Sequence, residues 1–95
     1  MGDPAFSSLE DFYAEVFAVA DVLWRSQKYL IASEIAMATD GTTSREILPK
    51  LRQTLRANAS HPVVADLGLT HRVEVLIHEI DRIMTPYERP PWTSS

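Results

Sequence analysis

Apolar residues recur at helical spacing along most of the chain, and no useful length of it alternates between apolar and polar with a period of two. The first regular pattern runs from Leu9 to Trp24, where apolar side chains at steps of three and four mark one stripe of a helix. A capping box formed by Ser7 and Glu10 precedes that stripe. These signals predict a first helix over residues 8–25.

Two further helices follow after a polar break. Apolar residues predict a second helix over residues 29–40, and Gly41 suits a left-handed cap at its end. A second capping box, beginning at Thr43, opens a third helix over residues 44–58. Pro49 lies within this third helix, so we expect a kink or a looser first turn there.

The last regular pattern is an apolar stripe from Val73 to Met84, which predicts a fourth helix over residues 70–84. Pro86 follows this stripe, and we expect the helix to end before it because proline cannot donate a backbone hydrogen bond. Residues 63–68 are compatible with an extra helical turn ahead of the fourth helix.

The chain is long enough for one core only. It has 95 residues, of which 45% are hydrophobic and three are glycine. We therefore predict an all-α fold, a compact bundle of about four helices in a single domain over residues 1–95, with an N-terminal arm over 1–7 and a Pro-rich tail over 85–95. The predicted core consists of Phe12, Val16, Leu23, Ile31, Ile35, Ile47, Leu51, Leu55, Val73, Leu76, Ile77, Ile80 and Met84.

The net charge of −4 disfavours a general coat for nucleic acid, because the phosphate backbone rewards positive charge. The charge is unevenly distributed, however. Residues 1–40 hold two basic and seven acidic side chains, whereas residues 41–58 hold four basic and one acidic. The four basic side chains of the second stretch form what we call the basic cluster: Arg45, Lys50, Arg52 and Arg56.

Three interpretations of the basic cluster are open from the sequence. Residues 31–56 resemble a helix-turn-helix in outline, since Gly41 stands near the turn position and Ile47 and Leu51 near the buried positions of a recognition helix. From their steps of seven and four, we predict that Arg45, Arg52 and Arg56 project to solvent on one side of the third helix, where they could contact phosphates. Pro49 and the position of Met37 do not fit that motif. A protein-facing patch and an ordinary solvated surface are the alternatives.

A second candidate surface lies on the first helix. Val19 and Val22 fall off its main apolar stripe, so the apolar face is wider than one neighbouring helix requires. Such a flank serves either as a self-association seam or as the side that meets the second helix. The sequence leaves both alternatives open.

The sequence contains no constellation typical of an active site or a cofactor site. Glu74, His78 and Asp81 share one face of the fourth helix, but such spacing arises easily on a charged helix and we predict no metal there. The chain has no cysteine, which excludes disulfides and thiolate metal ligands. The glycines are isolated, and the serines and threonines suit caps. We therefore expect a non-enzymatic protein without cofactors.

The Pro-rich tail is open to two interpretations. It combines three prolines with two aromatic residues, Tyr87 and Trp92, which is typical of short polyproline recognition segments. Burial of Trp92 against the helices would instead stabilise a small domain by about 2–3 kcal/mol.

The segment Asp40-Gly41-Thr42-Thr43-Ser44-Arg45-Glu46-Ile47-Leu48-Pro49-Lys50-Leu51-Arg52-Gln53-Thr54-Leu55-Arg56 resembles small uncharacterised bacterial helical proteins. In these, a Gly/Ser/Thr turn leads into Glu-Ile-Leu and a Leu-Arg repeat, and the similarity covers residues 30–56 best. The resemblance implies a helical fold and carries no activity or functional residue.

Taken together, these features favour a small helical protein that binds another protein or a second copy of itself. An inhibitor or immunity-type binder is one concrete form, because an acidic surface would attract a basic target. The alternative is a helix-turn-helix regulator of DNA using residues 31–56. No apolar run is long enough for a membrane span and no secretory signal is evident, so we expect a cytoplasmic protein.

Overall fold

Helices account for all of the regular secondary structure in residues 6–88, which are the residues that the computed structural model describes. This confirms the predicted all-α class. The helices are α1 (Leu9–Arg25), α2 (Tyr29–Ala38), α3 (Ser44–Asn58), α4 (Pro62–Asp66) and α5 (Thr70–Glu88). The short α4 supplies the extra helical turn for which the sequence had left room. Residues 1–5 and 89–95, which include most of the predicted tail, lie outside the described residues.

The longer helices enclose one hydrophobic core. α1 packs against α2 and α5, and α3 packs against the same two helices. Most of the predicted core residues are buried, and so are six that the prediction did not include in the core: Val19, Ala32, Ala38, Leu48, Val64 and Leu69. Ile77 and Met84 are only partly buried at its edge.

The buried face of α3 differs from the predicted one at a single place, where Leu48 is buried instead of Ile47. Leu48, Leu51 and Leu55 are buried at steps of three and four, whereas Ile47 is half-buried and lies outside the core. The Ile47 side chain lies instead against the turn before α3, where a methyl group added at Gly41 would come within 3.0 Å of its Cγ1.

Left-handed backbone ends two helices, but not at the predicted glycine. Gln27 after α1 and Gly68 after α4 have φ values of 65° and 70°. At each of these two helix ends, the amides of two successive residues donate hydrogen bonds to carbonyl oxygens of the last turn. After α1, Lys28 N donates to Leu23 O at 2.8 Å and Gln27 N donates to Trp24 O at 3.0 Å. Gly41 does not have a positive φ, so the predicted left-handed cap at that position is wrong.

The two predicted capping boxes form only in part. Thr43 is the N-cap of α3 as predicted, but its side chain makes no capping hydrogen bond. The Ser8 side chain, rather than that of Ser7, caps α1 by accepting a hydrogen bond from the Asp11 amide at 3.1 Å. Before α3, the Glu46 carboxylate reaches back to the amide and hydroxyl of Thr42 instead of Thr43, at 3.3 and 3.2 Å.

α5 continues past the proline that was expected to end it. Pro86 lies inside the helix, two residues before its last residue, Glu88. A proline so close to the end disrupts only the final turn, where few hydrogen bonds depend on it. The preceding residue, Thr85, donates its hydroxyl proton to the carbonyl oxygen of Asp81. The prediction that the helix stops at residue 84 is therefore wrong.

An ion pair joins the first and last helices. Arg72 of α5 donates two hydrogen bonds to the Glu15 carboxylate of α1, from Nε at 2.8 Å and from Nη2 at 2.7 Å. The hydrogen bonds from Arg72 lower the pKa of Glu15, against the opposing effect of burial. The same contact raises the pKa of Arg72.

Candidate interaction surface

The basic cluster does not form one open patch. Arg56 Nη2 donates to both carboxylate oxygens of Asp81, at 2.9 and 3.1 Å, and Arg52 Nη1 donates to Asp81 Oδ1 at 3.3 Å. Only 16% of the Arg52 side chain is exposed, compared with 55% of Arg56. The expectation that the arginines of α3 all project freely into solvent therefore fails at Arg52, because Asp81 of α5 holds it against the neighbouring helix.

The remaining members of the basic cluster are exposed. Arg45 lies in the first turn of α3, and Lys50 lies beside the groove between α2 and α3. The structure therefore divides the cluster into one pair that joins α3 to α5 and two exposed side chains. The carboxylate that binds the first pair, Asp81, comes from the face of α5 that had been considered for a metal.

The predicted apolar flank of α1 lies on the inside of the fold. Val19 is fully buried and Val22 is partly buried against the core, so this flank meets the chain's own helices. The neighbouring helices do not cover the whole apolar face of α1. The edge that they leave uncovered lies on the other side of the helix from Val19 and Val22. Phe17 and Trp24, which belong to the predicted stripe, are about half exposed.

Four large apolar side chains form what we call the apolar surface: Trp24 at the end of α1, and Tyr29, Leu30 and Met37 on α2. The rings of Trp24 and Tyr29 touch edge to face, with centroids 4.6 Å apart. Leu30 and Met37 are seven residues apart on α2 and therefore share one side of the helix, where they are 74% and 73% exposed. Scattered exposed apolar residues are ordinary, but a run of four is typical of a binding site.

Two hollows flank the apolar surface. A hollow of about 470 Å³ lies between α2 and α3 and is lined by Glu34, Met37, Ala38, Lys50, Gln53, Thr54 and Ala57. A second, of about 350 Å³, lies at the start of α2 and is lined by Gln27, Lys28, Tyr29, Leu30, Ile31, His61 and Val63. Each hollow therefore has one of the two exposed aliphatic side chains of α2 on its rim.

Acidic and histidine side chains are dispersed over the part of the chain that the structure describes. Within residues 6–88, no group of three or more such side chains could hold a metal ion. Glu74 and His78 are exposed on α5, while Asp81, the third residue of that face, binds Arg52 and Arg56.

α5 carries a buried carboxylate, Glu79, that no pattern in the sequence indicated. Glu79 is 3% exposed and accepts hydrogen bonds from Arg82 one turn further along the helix. It lies beside a hollow of about 230 Å³ that is bounded mainly by the start of α1 and by Ile83. Burial of a carboxylate requires such partners, because an unpaired charge in the interior is costly.

No family model, curated protein or solved structure matches this chain. The apolar surface is therefore supported by the exposures and contacts of this chain alone. None of the helices among the described residues is both long enough and apolar enough to cross a membrane.

One signal in the sequence could have identified the apolar surface. Eight of the ten residues of α2 are apolar, all except Ser33 and Glu34, so this helix has apolar side chains on every side. A helix of that kind is normally buried all round. Here the core covers only the side that carries Ile31 and Ile35, which leaves the other side without a neighbour.

Proposed function

We propose that this protein works by binding a macromolecular partner through the apolar surface at the end of α1 and along α2, without catalysing a reaction. One observation carries the proposal: Leu30 and Met37 are each about three-quarters exposed on one side of α2, and Leu30 follows Tyr29 of the exposed Trp24 and Tyr29 ring pair. Aromatic residues and methionine are enriched at the centres of protein interfaces.

The energetics favour the same conclusion. Transfer of an exposed leucine or methionine into a partner's interior gains about 1.5–3 kcal/mol for full burial. Bound partners also stabilise the folded state, which benefits a domain of 95 residues with one small core. A protein partner gains most from this surface, because the surface holds little charge that would attract a nucleic acid.

The helix-turn-helix alternative has less support. A recognition helix presents basic side chains to the phosphates, whereas Arg52 and Arg56 of α3 are bound to Asp81. Met37, near the end of the first helix of that motif, is directed into solvent rather than between the helices. An inhibitor or immunity-type role remains one form of the proposal, in which the acidic N-terminal half steers a basic target toward the apolar surface.

The experiment is site-specific photo-crosslinking in lysate of the source cells. A photoreactive phenylalanine analogue at position 30 should give a discrete covalent adduct with a protein. The same analogue at position 74, which is exposed on α5, is the matched control and should give none. Equal labelling at both positions, or no adduct at position 30, would contradict the proposal. A sequence-specific shift of labelled duplex DNA would favour the alternative.

A further inference from the structure

The outer side of α2 is short, apolar and nearly free of charge. Leu30, Ser33 and Met37 lie along it, with a small side chain between two large ones. Glu34 is the one charged residue of the helix, and its Oε2 accepts a hydrogen bond from Asn58 Nδ2 of α3 at 3.1 Å. Its carboxylate is therefore drawn toward α3 and away from the outer side.

We propose that the occupant of this side is a second copy of the same chain, with the two α2 helices packed antiparallel about a two-fold axis. The inference rests on the proposed function and names its partner. With the axis between Ser33 and Glu34, Leu30 of each copy faces Met37 of the other. The small Ser33 side chains then lie at the centre, where they allow the two helices to approach closely. An interface with two-fold symmetry must be complementary to itself, and this one is.

The charges at the two ends of α2 match in this arrangement. Lys28 precedes the helix and Asp40 follows it, and neither side chain forms an ion pair among residues 6–88. Antiparallel packing places Lys28 of one copy beside Asp40 of the second copy, and the two-fold axis generates this pair at both ends of the interface. It also aligns the two helix dipoles in opposite directions, which is favourable. A parallel arrangement would instead bring like charges together at both ends.

The two hollows that flank the apolar surface also fit the antiparallel arrangement. In the antiparallel arrangement, Leu30 of one copy approaches the 470 Å³ hollow beside Met37 of the other. Met37 approaches the 350 Å³ hollow beside Leu30 in the same way. Each protruding aliphatic side chain thus meets a concave, mainly apolar surface. The contact is that of one ten-residue helix and its flanks, so we expect a weak dimer with a dissociation constant in the micromolar range.

Sedimentation velocity over a dilution series tests the proposal. The wild-type chain should pass from dimer to monomer, and Leu30→Asp should raise the dissociation constant by at least about 30-fold, because the symmetric contact is lost twice. The matched control is Leu9→Asp, which changes a leucine that is exposed at the start of α1, outside the apolar surface. It should dimerise as the wild type does. Circular dichroism checks that both variants are folded.

A cysteine substitution tests the arrangement independently. The chain has no cysteine, so Ser33→Cys introduces a unique thiol next to the proposed axis. Mild oxidation should give a disulfide-linked dimer from Ser33→Cys and almost none from Ser60→Cys, which is exposed in the loop before α4. A wild-type chain that stays monomeric throughout the series overturns this proposal, and so does a dimer that Leu30→Asp leaves intact. If position 30 still crosslinks to a different protein, the proposed function stands and only the second copy is refuted.

Discussion

Replacement of Asp81 by asparagine removes the charge that holds two arginines of α3 against α5. The carboxylate accepts hydrogen bonds from Arg56 at 2.9 and 3.1 Å and from Arg52 at 3.3 Å. Asparagine keeps the shape and one acceptor oxygen, so the substitution tests the charge with little change in packing. If the two arginines have this structural role, Asp81→Asn must destabilise the fold.

The exposed fractions of the paired side chains set the loss of unfolding free energy expected for Asp81→Asn. The Arg56 contact is open to solvent, with 55% and 39% of the two side chains exposed, so it contributes about 0.2–1 kcal/mol. The Arg52 contact matters more because only 16% of that side chain is exposed: a hydrogen bond to a charged acceptor contributes about 1.5–3 kcal/mol, and the neutral asparagine oxygen keeps only part of it. Arg52 has a further interaction, which favours the lower end of that range. We expect a total loss of about 1–2 kcal/mol, and each kcal/mol lowers the Tm by about 4–8 °C in a domain of this size.

The assay is urea and thermal unfolding followed by circular dichroism, in a double-mutant cycle with Arg56→Gln. Asp81→Asn and Arg56→Gln should be less than additive, with a coupling of a few tenths of a kcal/mol or more. Asp21→Asn is the control: it removes an exposed pair with Arg25 within α1 and should have almost no effect. Wild-type stability of Asp81→Asn together with zero coupling would refute the reasoning, and would leave the arginines of α3 available for an external ligand.

Five further substitutions test the fold, four of them as two compared pairs and one alone. Leu51→Ala, at a fully buried position, should cost about 2–5 kcal/mol of unfolding free energy, while Ile47→Ala should cost less than half as much; equal losses in urea titrations would show that the face of α3 is assigned incorrectly. Gln27→Gly should stabilise the chain by about 0.5 kcal/mol because it relieves a left-handed backbone, and Gly68→Ala should destabilise it by about 1 kcal/mol; the same sign for both changes would contradict the two caps. Glu15→Gln should lower the stability at neutral pH, because the pKa of Glu15 is depressed in the folded state from an ordinary value of 4.5. The contribution of Glu15 is thus present above that value and is lost as the pH falls through the folded pKa, so the melting temperatures of wild type and variant should converge in acid and stay apart near pH 7.

The sequence was sufficient to predict the four longer helices, though not the end of α5, because apolar residues recur along them at helical spacing. It was not sufficient to predict which part of a wide apolar face is buried. On α1, the periodicity is equally compatible with the stripe of Phe17 and Trp24 and with the flank of Val19. Only the positions of α2 and α5 decide between them, and those depend on contacts distant in sequence.

The candidate surface was harder to predict for a related reason. The notable residues of α2, Leu30 and Met37, look like core residues when the sequence is examined alone. The basic residues of α3 look free, since nothing local shows that Asp81, 25 residues beyond Arg56, binds two of them. The left-handed position at Gln27 was missed because glycine is the usual residue there.

The most direct test of the central claim is a map of where the chain makes contact, residue by residue. Amide chemical shifts recorded by nuclear magnetic resonance over a dilution series, from about 10 μM to about 1 mM, cover the range in which a small interface dissociates. The account predicts concentration-dependent shifts concentrated between Trp24 and Asp40, with Leu30, Ser33 and Met37 among the largest. Shifts centred instead on Arg45 and Lys50 of α3 would contradict this placement of the binding surface, and a spectrum that does not change with concentration would refute the dimer.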